Sequence, residues 1–334
     1  MYQPDHTHMQ KKNRSGGALA ATQPNSDTNK KINQAIYGTI PKNSQGQYPK
    51  AVEHGMKWEV LGLMSGVHAK TYHLRGEKES PIVERTRAPT ILSVGDAENF
   101  RMLVDSQELC PPGCTCMKHA SKSNALLLHK TLHHFGMSAD GLLLDPTAVL
   151  SPFGGIEVKC PQCARPIEWE SKGKSQSPVV PRVGDKHDVY RQVQWQLGIL
   201  RSWTAKEIFD LLDLDFDQVL TAAGLVPAEH AACRFEWIDL VVSCIDDSGV
   251  VKESHVQRIY FDPDWWDEHL QKVSRIYLNA YLPEKAHPRR NDKAGSCRNY
   301  VLNKGRCVGY DGEVEKWGPE WGLDSDGHLE PFAE

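Results

Sequence analysis

Two carboxylates and a lysine in the stretch 139–163 constrain this 334-residue chain more than any other feature. Ala139-Asp140-Gly141 opens the stretch, Leu142, Leu143 and Leu144 follow, and the chain turns at Asp145-Pro146. After Gly154-Gly155 it resumes as Ile156-Glu157-Val158-Lys159-Cys160-Pro161. Apolar runs bounded by turn residues predict two strands of a hairpin-like unit. Alternation at period two puts Glu157 and Lys159 on one face of the second strand and turns Ile156 and Val158 to the core. A carboxylate and an ammonium on a half-buried strand are costly to hold there without a task.

The residue types have a chemical logic. Asp140 and Glu157, with the Val158 carbonyl, offer hard oxygen donors for Mg²⁺ or Mn²⁺. Such a cation polarises a phosphodiester and acidifies a bound water. Lys159 beside it is expected to have a depressed pKa, so that it orients or deprotonates the attacking water. The plainer alternative is a Glu157–Lys159 salt bridge on an exposed edge strand, which is what an isolated Glu-x-Lys usually is. The full spacing Asp…Gly-x-Glu-x-Lys-Cys-Pro is much rarer and favours the site.

Composition bounds the rest. With 40% hydrophobic residues the chain can build one large domain or two modest ones. Residues 1–33 lack an apolar signal core and no stretch approaches a membrane span, so the expectation is a soluble intracellular protein, nuclear if the host is eukaryotic. Nine cysteines, an odd number unevenly clustered, fit free thiols or a metal site better than a disulfide framework. A net charge of −4 sets up no global attraction for nucleic acid, so phosphate binding must be local or carried by metal.

Along the chain, residues 1–31 are polar with few anchors and read as a disordered tail, and a short helix is expected from about 32 to 38. Residues 48–64 carry Val52, Met56 and Leu63 at helical spacing, with Glu59 on the same stripe as a candidate ligand. Residues 72–74 and 91–94 are expected as strands, with a charged connection over 75–87. Cys110, Cys114, Cys116 and His119 lie among Pro111, Pro112 and Gly113. Reduced loop thiols are the favoured reading there. The alternative is a structural Zn²⁺ at Cys110, Cys114 and Cys116, completed by His119 or borrowing Cys160 and Cys163. His129, His133 and His134 are expected to line an element leading to Asp140.

A helix is expected from Asp188, with Val189, Val193, Gln196 and Leu200 on one side. Gln192 and Gln196 share one face, while Gln194 falls with Tyr190 on another. Residues 205–232 read as a helical insertion whose acidic run is a solvated face. Strands are expected at 235–245 and 256–261 around an Asp246-Asp247-Ser248-Gly249 turn, and a helix at 264–281. The tail is basic over 285–306 and acidic over 311–334; it reads as a solubilising tail, with a basic, unstructured arm touching DNA as the alternative.

These residues resemble the YqaJ-type recombinase family, nucleases related to lambda exonuclease within the PD-(D/E)xK superfamily. Ser138-Ala139-Asp140-Gly141-Leu142 is similar to its Ser-Pro-Asp-Gly element, with Ala139 in place of Pro. Gly155-Ile156-Glu157-Val158-Lys159-Cys160-Pro161 is similar to its Glu-x-Lys-Cys-Pro strand. His187, Tyr190 and Gln192-Val193-Gln194 resemble its Gln-x-Gln helix, and His54-Gly55-Met56-Lys57-Trp58-Glu59 its upstream Gly-x-x-x-Glu helix, with Gly62 where the family has Ala.

The resemblance covers about 32–284, strongest over 138–196, with departures near 99–130 and 205–232. It implies an α/β fold with a restriction-endonuclease-like core: one nuclease domain over 32–284, a mixed central sheet and flanking helices. It implies metal-dependent DNA hydrolysis, with Glu59, Asp140, Glu157 and the Val158 carbonyl holding Mg²⁺ or Mn²⁺ and Lys159 activating water. Gln192, more than Gln194, would place the nucleophile or the phosphate. Exonucleolytic resection of duplex ends in recombination or repair and a ring-shaped homotrimer follow from the same resemblance. A catalytically silent DNA-binding adaptor and a structure-specific endonuclease are the alternatives.

Overall fold

The computed structural model describes residues 50–74, 82–120, 122–124, 126–161 and 188–278, with short strands between 302 and 331. Outside the described residues lie the expected N-terminal tail, the helix near 32–38, Cys163 and His187. Two units divide the chain. One is residues 48–261, which carry every candidate site residue; the other combines 2–47 with 262–334.

In the first unit, helix α1 (Lys50–Val67) covers the segment around Glu59. Its seat on the sheet is made by two glycines one turn apart. A Cβ at position 62 would stand 2.6 Å from Val158 Cγ1, and one at position 66 would stand 2.3 Å from Val241 Cγ2. Only hydrogen fits, so the helix backbone lies directly on two central strands. Leu63 and Val67 are buried beside them, whereas Met56 is 63% exposed. The buried face therefore runs along the glycine side and keeps Leu63 of the stripe that hydrophobic periodicity picks out, but not Met56.

After α1 come β1 (Thr71–Leu74), β2 (Ile82–Glu84) and β3 (Thr90–Val94), then helix α2 (Ala97–Ser106), capped by Asp96. The stretch expected as a charged connection thus contains a strand. β4 (Leu127–Leu128) and β5 (Gly136–Met137) pair with each other in a small sheet of their own. His129 lies just beyond β4 and accepts the Leu132 N–H at 3.1 Å, closing the turn between the two strands. The central hairpin follows as β6 (Gly141–Leu144) and β7 (Phe153–Lys159), antiparallel, with Gly141 opposite Ile156.

Helix α3 (Asp188–Arg201) and three short helices come next: α4 (Ala205–Leu211), α5 (Phe216–Ala223) and α6 (Pro227–His230). A capping box at Thr204 and Glu207 starts α4, and Asp215 caps α5 through the Gln218 N–H at 2.9 Å. Phe153 at the start of β7 meets Phe209 and Phe216 at ring distances of 5.9 and 6.2 Å. That aromatic cluster ties the helical insertion into the unit.

β8 (Trp237–Ile245) is buried along its whole length and returns through the Asp246 turn into β9 (Val251–Tyr260), longer than its apolar core alone indicates. The main sheet is mixed, in the order β2-β1-β9-β8-β7-β6-β3, with β1–β9 and β7–β8 parallel and the remaining pairs antiparallel. The fold is thus mixed α/β, a large mixed sheet with helices packed on it, in agreement with the α/β expectation.

In the second unit, Asp262 caps helix α7 (Pro263–Ile276) through the Trp265 N–H at 3.0 Å. The C-terminal stretch expected as a solubilising tail contains paired strands: β10 (Leu302–Asn303), β11 (Arg306–Val308) and β12 (Val314–Glu315), then β13 (Trp321–Leu323) with β14 (Leu329–Pro331). Among the described residues no helix is long and apolar enough to cross a membrane.

Candidate active site

β7 lies inside the sheet, between β6 and β8, so its middle is covered on both edges and both faces. Glu157 is only 2% exposed there. An exposed edge-strand salt bridge is therefore not what this pair is. A buried carboxylate must satisfy its oxygens, and Glu157 does so with three donors. Lys159 pairs with its Oε1. The Gln192 amide donates to Oε1 at 2.6 Å and the Gln196 amide to Oε2 at 2.8 Å.

The hairpin register brings Asp140 alongside, since it directly precedes the Gly141–Ile156 pair. Its Oδ2 accepts the Val158 N–H at 2.6 Å. Burial raises the Asp140 carboxyl well above its ordinary range, and the Glu157 and Glu59 charges raise it further against the pull of Lys159 and that N–H. Glu59 reaches the same electrostatic neighbourhood from α1. Its side chain keeps a solvent-exposed surface, yet partial loss of water and the charge of Glu157 raise its carboxyl, with Lys159 opposing.

Lys159 is itself a balance. Burial disfavours its ammonium, but Glu157, Asp140 and Glu59 outweigh that and raise its pKa. The depression expected beside a cation belongs to the metal-loaded site, whereas here the carboxylates act on Lys159 without one. Next along the strand, burial and then the charges of Glu59 and Asp140 push the Cys160 thiol up to about 12, so it stays protonated. Three carboxyls therefore share one ammonium.

The structure thus gathers Glu59, Asp140, Glu157, Val158, Lys159 and Gln192. Gln194 goes elsewhere: it is buried, and its amide donates to the Tyr260 carbonyl at 2.8 Å. Gln196, to which sequence reasoning gives no role, holds Glu157 and also donates to the Ser138 carbonyl at 3.2 Å. Its signal is present in the sequence, because it lies four residues from Gln192 on one helical face.

The donor set suits Mg²⁺ or Mn²⁺. It consists of hard oxygens with an excess of negative charge. In addition, the side-chain oxygens of Gln192 and Gln196 are buried beside Glu157 without a hydrogen-bond partner among the described residues. The three carboxylates are not drawn into a group whose ligand atoms all lie within 4.8 Å of one another; among the described residues that closeness occurs at His68, Cys110, Cys114 and Cys116. The fourth member there is His68, not His119. Cys160 points instead at the Trp58 carbonyl, 3.4 Å away.

No protein-family model matches the chain, and no curated protein does. Among solved structures it is similar to an alkaline exonuclease, LHK-Exo, from Laribacter hongkongensis, and to that protein in complex with dAMP. Each is 20% identical with a TM-score of 0.27, over 57% of this chain. The matched region spans 66% of the exonuclease's length.

Proposed function

We propose that this chain is a divalent-metal-dependent deoxyribonuclease, an exonuclease working on duplex DNA ends in recombination or repair. The observation that carries the reading is the buried Glu157 carboxylate on an interior strand, with half-buried Asp140 and Lys159 beside it and Glu59 reaching in from the surface, three acids to one base. Such an excess of negative charge around a buried carboxylate is costly for folding alone and well matched to a cation. The Asp-Gly…Glu-x-Lys-Cys-Pro spacing supports the same reading.

Asp140, Glu157 and the Val158 carbonyl would hold Mg²⁺ or Mn²⁺, with Glu59 completing the set from α1. The cation supplies charge neutralisation at the scissile phosphate and a more acidic water. Lys159, held as an ammonium by its carboxylate neighbours, orients the attacking water and the phosphate by donating hydrogen bonds. Gln192 and Gln196 fix the rotamer of Glu157, and Gln192, half-buried, is the one able to exchange its bond for the nucleophile or the phosphate. The 5′-to-3′ polarity and the ring of subunits that go with the family resemblance are part of this proposal.

The test is hydrolysis of end-labelled linear duplex with Mg²⁺ or Mn²⁺. Mononucleotide release that stops on chelation is expected. Wild-type protein that binds duplex and cuts nothing under either metal would identify a DNA-binding adaptor. Cutting of closed circles or branched junctions without an end requirement would identify an endonuclease.

A further inference from the structure

Away from the carboxylates, four side chains from distant parts of the sequence converge. His68 follows the C-terminus of α1. Cys110, Cys114 and Cys116 come from the loop after α2. Their ligand atoms all lie within 4.8 Å of one another. The Cys110 and Cys116 sulfurs are 3.5 Å apart, and Cys116 Sγ is 3.7 Å from His68 Nε2. Cys116 is buried and the other three are partly so.

The distances identify the chemistry. A tetrahedral ion bonded to sulfur at about 2.3 Å sets its ligand atoms about 3.8 Å apart, close to both separations here. A disulfide needs sulfurs at about 2.05 Å and would leave one cysteine and the histidine unused. A 4Fe–4S cluster places each thiolate on a separate iron and a 2Fe–2S cluster divides its four ligands between two irons, so either spreads the ligand atoms further than one ion does. The Cys116 N–H lies 3.5 Å from Cys114 Sγ and donates to it, a bond that favours a thiolate. Three soft thiolates and one imidazole suit Zn²⁺ above the hard cations.

We infer that His68, Cys110, Cys114 and Cys116 form a closed, four-coordinate structural Zn²⁺ site. It joins the end of α1 to the loop whose Cys116 carbonyl accepts the Ile91 N–H of β3 at 2.8 Å. The ion would therefore clamp the helix carrying Glu59 to the edge of the sheet. The inference rests on the Cys–His geometry alone and stands whether or not the carboxylate site cuts DNA.

The experiment is metal analysis of the untagged full-length protein, followed by replacement of the metal with Co²⁺. Stoichiometric zinc is expected, released by a thiol-modifying mercurial. The Co²⁺ form should show thiolate charge-transfer bands and the intense visible bands of a tetrahedral site. Cys116→Ser and His68→Ala should lose the metal, whereas His119→Ala and Cys160→Ser should keep it. Because Cys116→Ser can fail to fold, the wild-type Co²⁺ spectrum and the two retained-metal variants carry the test independently. Protein free of zinc whose melting temperature is indifferent to added zinc would overturn the inference. So would a Cys110–Cys116 disulfide, bound iron, or metal lost from His119→Ala but kept in His68→Ala.

Discussion

Two charged clusters share one sheet, and they differ in burial and in whether their charges balance. Behind β8 and β9, Arg258 is 0% exposed. It donates to Asp239 at 2.8 and 3.0 Å and to Asp145 at 2.9 Å. Its guanidinium also stacks 3.6 Å from the Trp237 ring. Arg85 pairs with the same Asp239 and donates to the Gly66 carbonyl at 2.9 Å. Two arginines meet two aspartates, so every charge has an opposite. Burial alone would raise the Asp239 carboxyl, but Arg258 and Arg85 outweigh it and bring it down. Around β7, three carboxyls meet one lysine, and Asp140 is raised instead. The first cluster is an internal fastening. The second is poised for something outside the chain.

Breaking the two clusters should therefore have opposite consequences. The largest effect is expected from Lys159→Ala. Binding of metal and DNA should persist while cutting falls on the order of a hundred- to ten-thousand-fold, the usual range for lost proton-transfer and orienting assistance. Single-turnover cleavage alongside DNA-binding isotherms measures it, and full-rate cutting would place the active site elsewhere. Asp140→Asn should fall comparably but recover in part with excess Mn²⁺, because mass action compensates for a weakened site.

Arg258→Met should show the reverse pattern. It leaves Asp145 buried without its partner and should cost about 3–5 kcal/mol of stability, read by denaturant unfolding. Protein that still folds should retain the chemistry of the carboxylate site. Next in size, Gly62→Ala should cost about 1–3 kcal/mol by overpacking against Val158, and should weaken metal binding because α1 carries Glu59 outward with it. Glu59→Gln, at an exposed position, should lower metal affinity and leave stability nearly unchanged.

The subtlest difference is in pH dependence. Asp140, raised in the folded protein, gives up its proton at higher pH there than in the unfolded chain, so this group lowers stability as pH climbs from the unfolded carboxyl range through the raised folded value. Asp239, being depressed, contributes stability above the unfolded range and loses it on acidification. Accordingly, Asp140→Asn should raise the melting temperature at neutral pH, while Asp239→Asn should lower it. Added Mg²⁺ or Mn²⁺ should raise the wild-type melting temperature, and that of Asp140→Asn only at higher metal concentration. Equal pH profiles for the two variants would erase the distinction between the clusters.

Much of this is legible in the sequence because it is local. Period-two alternation marks Glu157 and Lys159 beside a core-facing Val158, and helical spacing alone pairs Gln192 with Gln196. Asp140 follows from the turn residues that close the β6–β7 hairpin. The acidic run of the insertion reads as a solvated face, and Asp210, Asp213 and Asp217 are exposed, with Asp215 capping α5.

Tertiary structure alone decided what depends on surfaces meeting from distant parts of the chain. β8 pairs in parallel with β7 and makes it an interior strand, and that burial turns an ordinary Glu-x-Lys into a strained set of charges. Hydrophobic periodicity assigns Met56 to the helix's buried stripe, but a glycine face, with no side chain to register on any hydropathy scale, is what reaches the sheet. His68 joins the three cysteines ahead of the nearer His119 for the same reason. Sequence spacing records which residues are neighbours along the chain, while a metal site or a buried charge is set by which backbones can approach. That approach is permitted here by two missing side chains, at Gly62 and Gly66.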